Sequence, residues 1–171
     1  VAFSGLEEGR SDLYTYNIKT KKLTQLTDDH YSDYQPNYSR DGKYIVFSTD
    51  RVALESNSRS VSIPMSLALY EITTGKITNI DVFPGANNLN PQFSGDGTSI
   101  FFLSNSDGFR NLYRYHLNSG TVERLTDYFT GISGITEYSP AISVSANDEI
   151  VYSFFKKKKY NIYKANVSEF E

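Results

Sequence analysis

The feature that most restricts what this chain can fold into is its self-similarity. Tyr34–Ser48, Leu89–Ser104 and Tyr138–Ser153 align on Pro36, Pro91 and Pro140, spaced by 55 and 49 residues. A second shared block follows each of them, at Leu67–Thr74, Asn111–Asn118 and Asn161–Ser168, with an unpaired copy at Asp12–Lys19. A third block reads Lys22–Asp28, Lys76–Asp81 and Val122–Asp127. A period of this length marks one supersecondary unit used repeatedly, each copy burying its apolar face on the next.

Within a unit the pattern predicts four short strands, a to d. Strand a lies near 36–39, 91–94 and 140–143. Strand b is a continuous apolar run, Tyr44–Thr49, Ser99–Ser104 and Glu149–Phe154, with a first copy at Val1–Ser4, as suits a strand covered on both faces. Strand c alternates, as in Leu112–Leu117, and strand d is the most polar, with Lys22, Gln25, Glu123 and Arg124. Charge on an outer strand discourages stray pairing. Asp41-Gly42 and Asp96-Gly97 signal tight a–b hairpins, Asn147-Asp148 a weaker one, and Thr74-Gly75 and Ser119-Gly120 join c to d. Gly97 is expected to be needed at positive φ, whereas Gly108 lies in a variable loop that can relax. The residues before the prolines, Gln35, Asn90 and Ser139, are expected to be extended.

The fold class is therefore all-β: a propeller segment of four-stranded antiparallel blades, two whole and two partial, forming part of a larger ring. The expected units are 1–33, 34–88, 89–137 and 138–171. The rival arrangement is a four-bladed ring closed between its own ragged ends. The opening Val1–Ser4 reads as the middle of a strand, so the parent chain is expected to extend upstream.

Composition narrows the function. Fourteen Tyr and eleven Phe suit half-buried pleated surfaces. A net charge of −3 gives no basic face for nucleic acid. The absence of Cys removes disulfides, zinc-thiolate sites and thiol catalysis. No apolar run approaches a membrane span. Catalytic signatures are missing: Gly131-Ile-Ser-Gly134 has the wrong spacing for a nucleophile elbow, and there is no phosphate loop or zinc-protease motif. No cofactor and no metal site are expected.

The blocks Gln35-Pro-Asn-Tyr-Ser-Arg-Asp-Gly42, Asn90-Pro-Gln-Phe-Ser-Gly-Asp-Gly97 and the Leu-Tyr and Leu-Thr blocks after them resemble the repeats of TolB-type propellers. The Trp usual in strand a is replaced by Tyr38, Phe93 and Ile142, and the last unit lacks its Asp-Gly. The resemblance implies a fold, and implies a place in the periplasm or cell envelope. Such propellers serve unrelated roles, so a role has to be argued from a site.

Strand alternation puts the a–b and c–d turns on one face, and the b–c loops and d–a crossovers on the other. The second face varies and is the candidate binding face. Its longest loop, Asp50–Ser66, carries Arg51 and Arg59; the plainer reading is a tolerated insertion. Asp33, Asn88 and Glu137 each stand three residues before a proline, and the resemblance implies that they ring the mouth of a central channel; the plainer reading is that they cap crossover turns. His30, Tyr31, Tyr128 and Phe129 complete the binding candidates. Lys156–Lys159 is a basic run in the last b–c loop, read as a solvated turn or as an attractant for an acidic partner.

These residues favour a non-catalytic scaffold that binds another protein on the variable face, with its remaining blades supplied by the same parent chain or another copy. The second reading is a gating propeller of a prolyl oligopeptidase-like or other hydrolase whose catalytic domain lies elsewhere. The third, a saccharide-active propeller, needs histidines and acids converging on the axis, and this chain offers only His30 there.

Overall fold

The computed structural model describes residues 1–56 and 63–170. The strands are β1 (Ala2–Glu7), β2 (Arg10–Asn17), β3 (Lys22–Gln25), β4 (Asp33–Tyr38), β5 (Tyr44–Thr49), β6 (Ser66–Glu71) and β7 (Ile77–Ile80). They continue as β8 (Asn88–Phe93), β9 (Ser99–Ser104), β10 (Asn111–His116), β11 (Val122–Arg124), β12 (Ile142–Val144), β13 (Glu149–Lys156) and β14 (Lys159–Asn166). They form four antiparallel sheets in the orders β1-β2-β3, β4-β5-β6-β7, β8-β9-β10-β11 and β12-β13-β14. The only helical pieces among the described residues are α1 (Arg51–Glu55) and a single turn at Val167–Glu169. Among these residues no strand of the first sheet pairs with one of the last, so strand pairing does not close a four-bladed ring.

Each sheet is held by what it buries against its neighbour. Leu13, Ile45, Phe47 and Ala68 form one core, Val46, Leu67, Phe93, Phe102 and Tyr113 the next, and Phe101, Leu112, Ile132, Ile150 and Tyr152 the third. Residues on both faces of the b strands are consumed in this way: all six residues of β9 are buried. A side chain such as Phe47, fully removed from water, contributes about 1.5–3 kcal/mol.

The a–b turns behave as their chemistry predicts. Gly42 and Gly97 have φ of 71° and 73°. Asp41 and Asp96 accept hydrogen bonds from the Ser39 and Ser94 hydroxyls at 2.7 and 2.6 Å, which hold both carboxyls below the usual range. In the last unit Asp148 itself takes the left-handed position, with φ 57°, and its carboxylate accepts the Gly95 N–H of the preceding sheet at 2.7 Å.

Four expectations need correction. Gln35 and Asn90 are not extended: their φ values are 54° and 53°, and each sits in a bulge of its inner strand. The pre-proline restriction loses here because the bulge turns each carboxamide toward backbone groups of another sheet. Gly108 also has positive φ, 93°, so its loop does not relax away from the glycine requirement. Strand a begins at Asp33 and Asn88, before the prolines, and its last copy begins only at Ile142. Lys156–Lys159 is no loop: Lys156 and Lys159 are paired strand residues, and only Lys157 and Lys158, at φ 53° and 63°, form the turn.

Candidate functional site

Contacts sort the connections into the two faces expected from strand direction. On one face c–d turns bond a–b turns, Ile72 N–H to Lys43 O at 2.9 Å and Leu117 N–H to Thr98 O at 3.0 Å. On the other, b–c loops bond crossovers, Ile132 N–H to Arg110 O at 2.7 Å and Asp50 N–H to Ser32 O at 3.3 Å.

The loop after β5 starts as α1 and is clipped to the preceding crossover by Arg51. Its guanidinium donates to Asp29 at 2.8 Å and to Asp33 at 2.9 Å, and lies 4.5 Å from the centre of the Tyr31 ring. The Tyr31 hydroxyl donates to Glu55 at 3.1 Å, and the His30 ring sits 3.9 Å from the Tyr31 ring. Asp33 is wholly buried; burial pushes its carboxyl up despite the Arg51 charge beside it. Arg51 was a candidate for gripping a partner, but its side chain is 9% exposed and is spent on holding α1 in place.

Asp33, Asn88 and Glu137 do not share an environment. Asn88 is buried and donates to the Val82 and Ala86 carbonyls at 3.1 and 3.3 Å, fixing its own crossover. Glu137 is exposed, accepts from the Asn87 side chain at 3.0 Å and lies 3.7 Å from Arg110. The equivalence in the repeat holds for the backbone position and not for the side-chain role. Phe129 is 79% exposed and meets Phe109 edge-on at 5.7 Å. Tyr128 bonds the Tyr152 hydroxyl at 3.2 Å and packs on Phe154. Arg59 lies outside the described residues.

The sequence reading missed the polar residues flanking the repeated prolines. Gln35 accepts the Asn90 N–H at 2.6 Å, Asn37 the Phe93 N–H at 2.9 Å, and Asn90 the Ala141 and Ile142 N–H groups at 2.6 and 2.8 Å. Gln35 also donates to the Tyr138 carbonyl at 2.8 Å, and Tyr34 stacks on Tyr138 at 5.1 Å, tying the second unit to the approach to the fourth. The signal was present as Gln-Pro-Asn and Asn-Pro-Gln in register.

Two of the cavities lie on opposite faces. One of about 480 Å³ lies on the loop face between α1 and the crossover after β7, lined by Val52, Pro64, Val82, Phe83, Pro84 and Asn88. Another of about 530 Å³ lies on the opposite face among Arg40, Tyr44, Leu69, Phe93 and Leu117, so that face is less featureless than its repeated turns suggest. Among the described residues no group of three His, Cys, Asp or Glu is placed to hold a metal, and no helix is long and apolar enough to cross a membrane.

No protein-family model matches the chain. The Tol-Pal system protein TolB of Francisella tularensis subsp. mediasiatica is 35% identical over 94 residues, covering 53% of this chain and 19% of that protein. The crystal structure of TolB from Acinetobacter baumannii superposes with a TM-score of 0.76 at 19% identity, over 98% of this chain and 38% of that one. The chain is similar to TolB-type β-propellers, in sequence over part of its length and in fold over nearly all of it. Dipeptidyl-peptidase 5 of Porphyromonas gingivalis is also similar, 27% identical over 118 residues, 68% of this chain and 16% of that protein. The chain thus spans about a fifth of the length of the curated relatives it matches.

Proposed function

We propose that these blades belong to a non-catalytic recognition scaffold of the bacterial cell envelope, and that its partner protein docks on the face of b–c loops and crossovers. The observation that carries this reading is the groove between α1 and the crossover after β7, where exposed Val52, on a helix anchored by Arg51, lines the same cavity as Phe83 and Pro84, with exposed Leu54 on the same helix. Apolar anchors on a preorganised support are what an interface core requires. The kinship with a Tol-Pal system protein supports the envelope setting. On this reading Arg51, Asp33 and Asn88 position the surface, and Val52, Leu54, Phe129 and Glu137 meet the partner. Pull-down of envelope proteins by the parent protein tests it. V52D and F129A should lose the partner while K43A, K76A and T98A keep it; the reverse pattern overturns the choice of face.

Kinship with a dipeptidyl-peptidase supports a second reading, in which the blades gate a hydrolase domain of the parent chain. Labelling of the parent protein by a serine-directed fluorophosphonate would favour that reading, and its failure to label would favour the scaffold.

A further inference from the structure

The hairpin β13–β14 is built unlike its counterpart in the preceding sheet. Both strands have eight residues, against six in β9 and β10, and they meet in a two-residue turn of Lys157 and Lys158. Such a turn wants Asn-Gly, because both central residues take positive φ. Lysine at φ 53° and 63° is a strained choice there. Lys156 and Lys159 are direct cross-strand partners, which places like charges opposite each other. No ion pair among the described residues involves any of the four lysines. Next along the hairpin, Phe155 and Tyr160 form an edge-on pair at 5.1 Å, 45% and 44% exposed, and the Tyr160 hydroxyl donates to Gly134 O at 2.9 Å, fixing the tip against the crossover.

Between this tip and the crossover lies a cavity of about 620 Å³, lined by Tyr128, Tyr152, Phe154 and Tyr163 with Lys156 and Lys157. Its volume falls in the range of pockets that enclose ligands. At the corresponding place between the second and third sheets, Phe83, Phe102 and Tyr113 supply the same aromatic cluster. There the turn carries Ser106 and Asp107 instead. Ser106 bonds the Tyr113 hydroxyl at 3.2 Å and Asp107 is neutralised by Arg124 at 2.9 Å. One repeat closes the junction with internal partners; the other leaves an apolar groove beside four unpaired cations.

We propose that the groove between Tyr128 and the Lys156–Lys159 hairpin binds an acidic peptide segment, an apolar anchor side chain entering the aromatic cavity and flanking carboxylates pairing with the lysines. The inference rests on the scaffold reading and adds a second groove on the same loop face, apart from the one beside α1. Charge complementarity selects the partner: several carboxylates relieve both the Lys156–Lys159 repulsion and the open charges of the turn. A flat anionic bilayer would meet the lysines but leave the concave cavity unfilled.

The test is fluorescence anisotropy of the parent protein with a labelled peptide of glutamates flanking one phenylalanine. Saturable binding is expected, weakened about tenfold or more when Lys156, Lys157, Lys158 and Lys159 are all changed to Gln, weakened also by F155S, and unchanged in K21Q/K22Q. The same peptide with its glutamates replaced by glutamines should bind far more weakly. Equal binding of the two peptides, no effect of the lysine changes, no saturable binding, or binding only to phosphatidylglycerol vesicles would each overturn the proposal. The V52D and F129A pull-down reads the scaffold hypothesis separately, so the failure of one is distinguishable from the failure of the other.

Discussion

Gln35 and Asn90 stand 55 residues apart in the same left-handed conformation, and the side-chain oxygen of the first accepts the backbone N–H of the second at 2.6 Å. Asn90 repeats the act on Ala141 and Ile142 of the next inner strand. Two strained backbones therefore work as clasps between successive sheets.

Asn90→Ala should lower stability by about 3 kcal/mol, since it strips two buried N–H groups of their acceptor and leaves a Cβ-bearing residue without that reward at positive φ. Asn90→Gly should cost about 1 kcal/mol less, because glycine accepts the conformation freely. Urea unfolding checks both; equal losses would remove backbone strain from the account.

Glycine substitutions separate close approach from conformation. A Cβ on Gly95 would lie 2.0 Å from the Ala146 carbonyl oxygen, in backbone that has little room to retreat, so Gly95→Ala should be the most damaging glycine change. Gly97 and Gly108 meet nothing within 4 Å and are limited only by φ, so their valine variants should fall by similar amounts, about 1–2 kcal/mol each. Thermal melts that rank Gly95→Ala below either would contradict the sheet spacing.

The buried cluster at Arg51 should obey the arithmetic of ion pairs. Arg51→Ala leaves Asp33 uncompensated and should cost about 3–5 kcal/mol, while the double change Arg51→Met with Asp33→Asn should recover much of that loss. A double variant as unstable as the single one would show that the charges themselves are needed.

Burial raises the Asp33 carboxyl above its ordinary 3.8, so the folded state binds that proton more tightly than the unfolded chain does. Its contribution is complete below 3.8 and is lost as pH rises through the raised folded value. Measured against Asp33→Asn, the wild-type protein should gain stability as pH falls through that window. Asp96 has the opposite sign, lowered chiefly by the Ser94 hydroxyl, and its contribution is lost on acidification. A carboxyl NMR titration should place the Asp33 midpoint above that of Asp96; the reverse order would contradict the burial of Asp33.

The repeats and turns were legible because their signals are local. Asp-Gly after a Ser, and an apolar run such as Ile100–Leu103, each specify their structure within a few residues. The site was less legible because its partners are distant or depart from the signal. Nothing in the sequence near Arg51 reveals that it is shared by Asp29 and Asp33. The Lys157-Lys158 turn carries none of the residues that announce a tight hairpin, so four lysines read as a loop. Asp33, Asn88 and Glu137 align perfectly and yet do three different things, because the loop each one faces has a different length and content.

The claim that recognition occurs on the loop face is tested most directly by hydrogen exchange of the parent protein with and without its captured partner. The account predicts added protection at 50–56, 81–87 and 127–138, with 39–43, 94–98 and 117–121 unchanged. Protection confined to the turns around Gly42, Gly97 and Gly120 would contradict it.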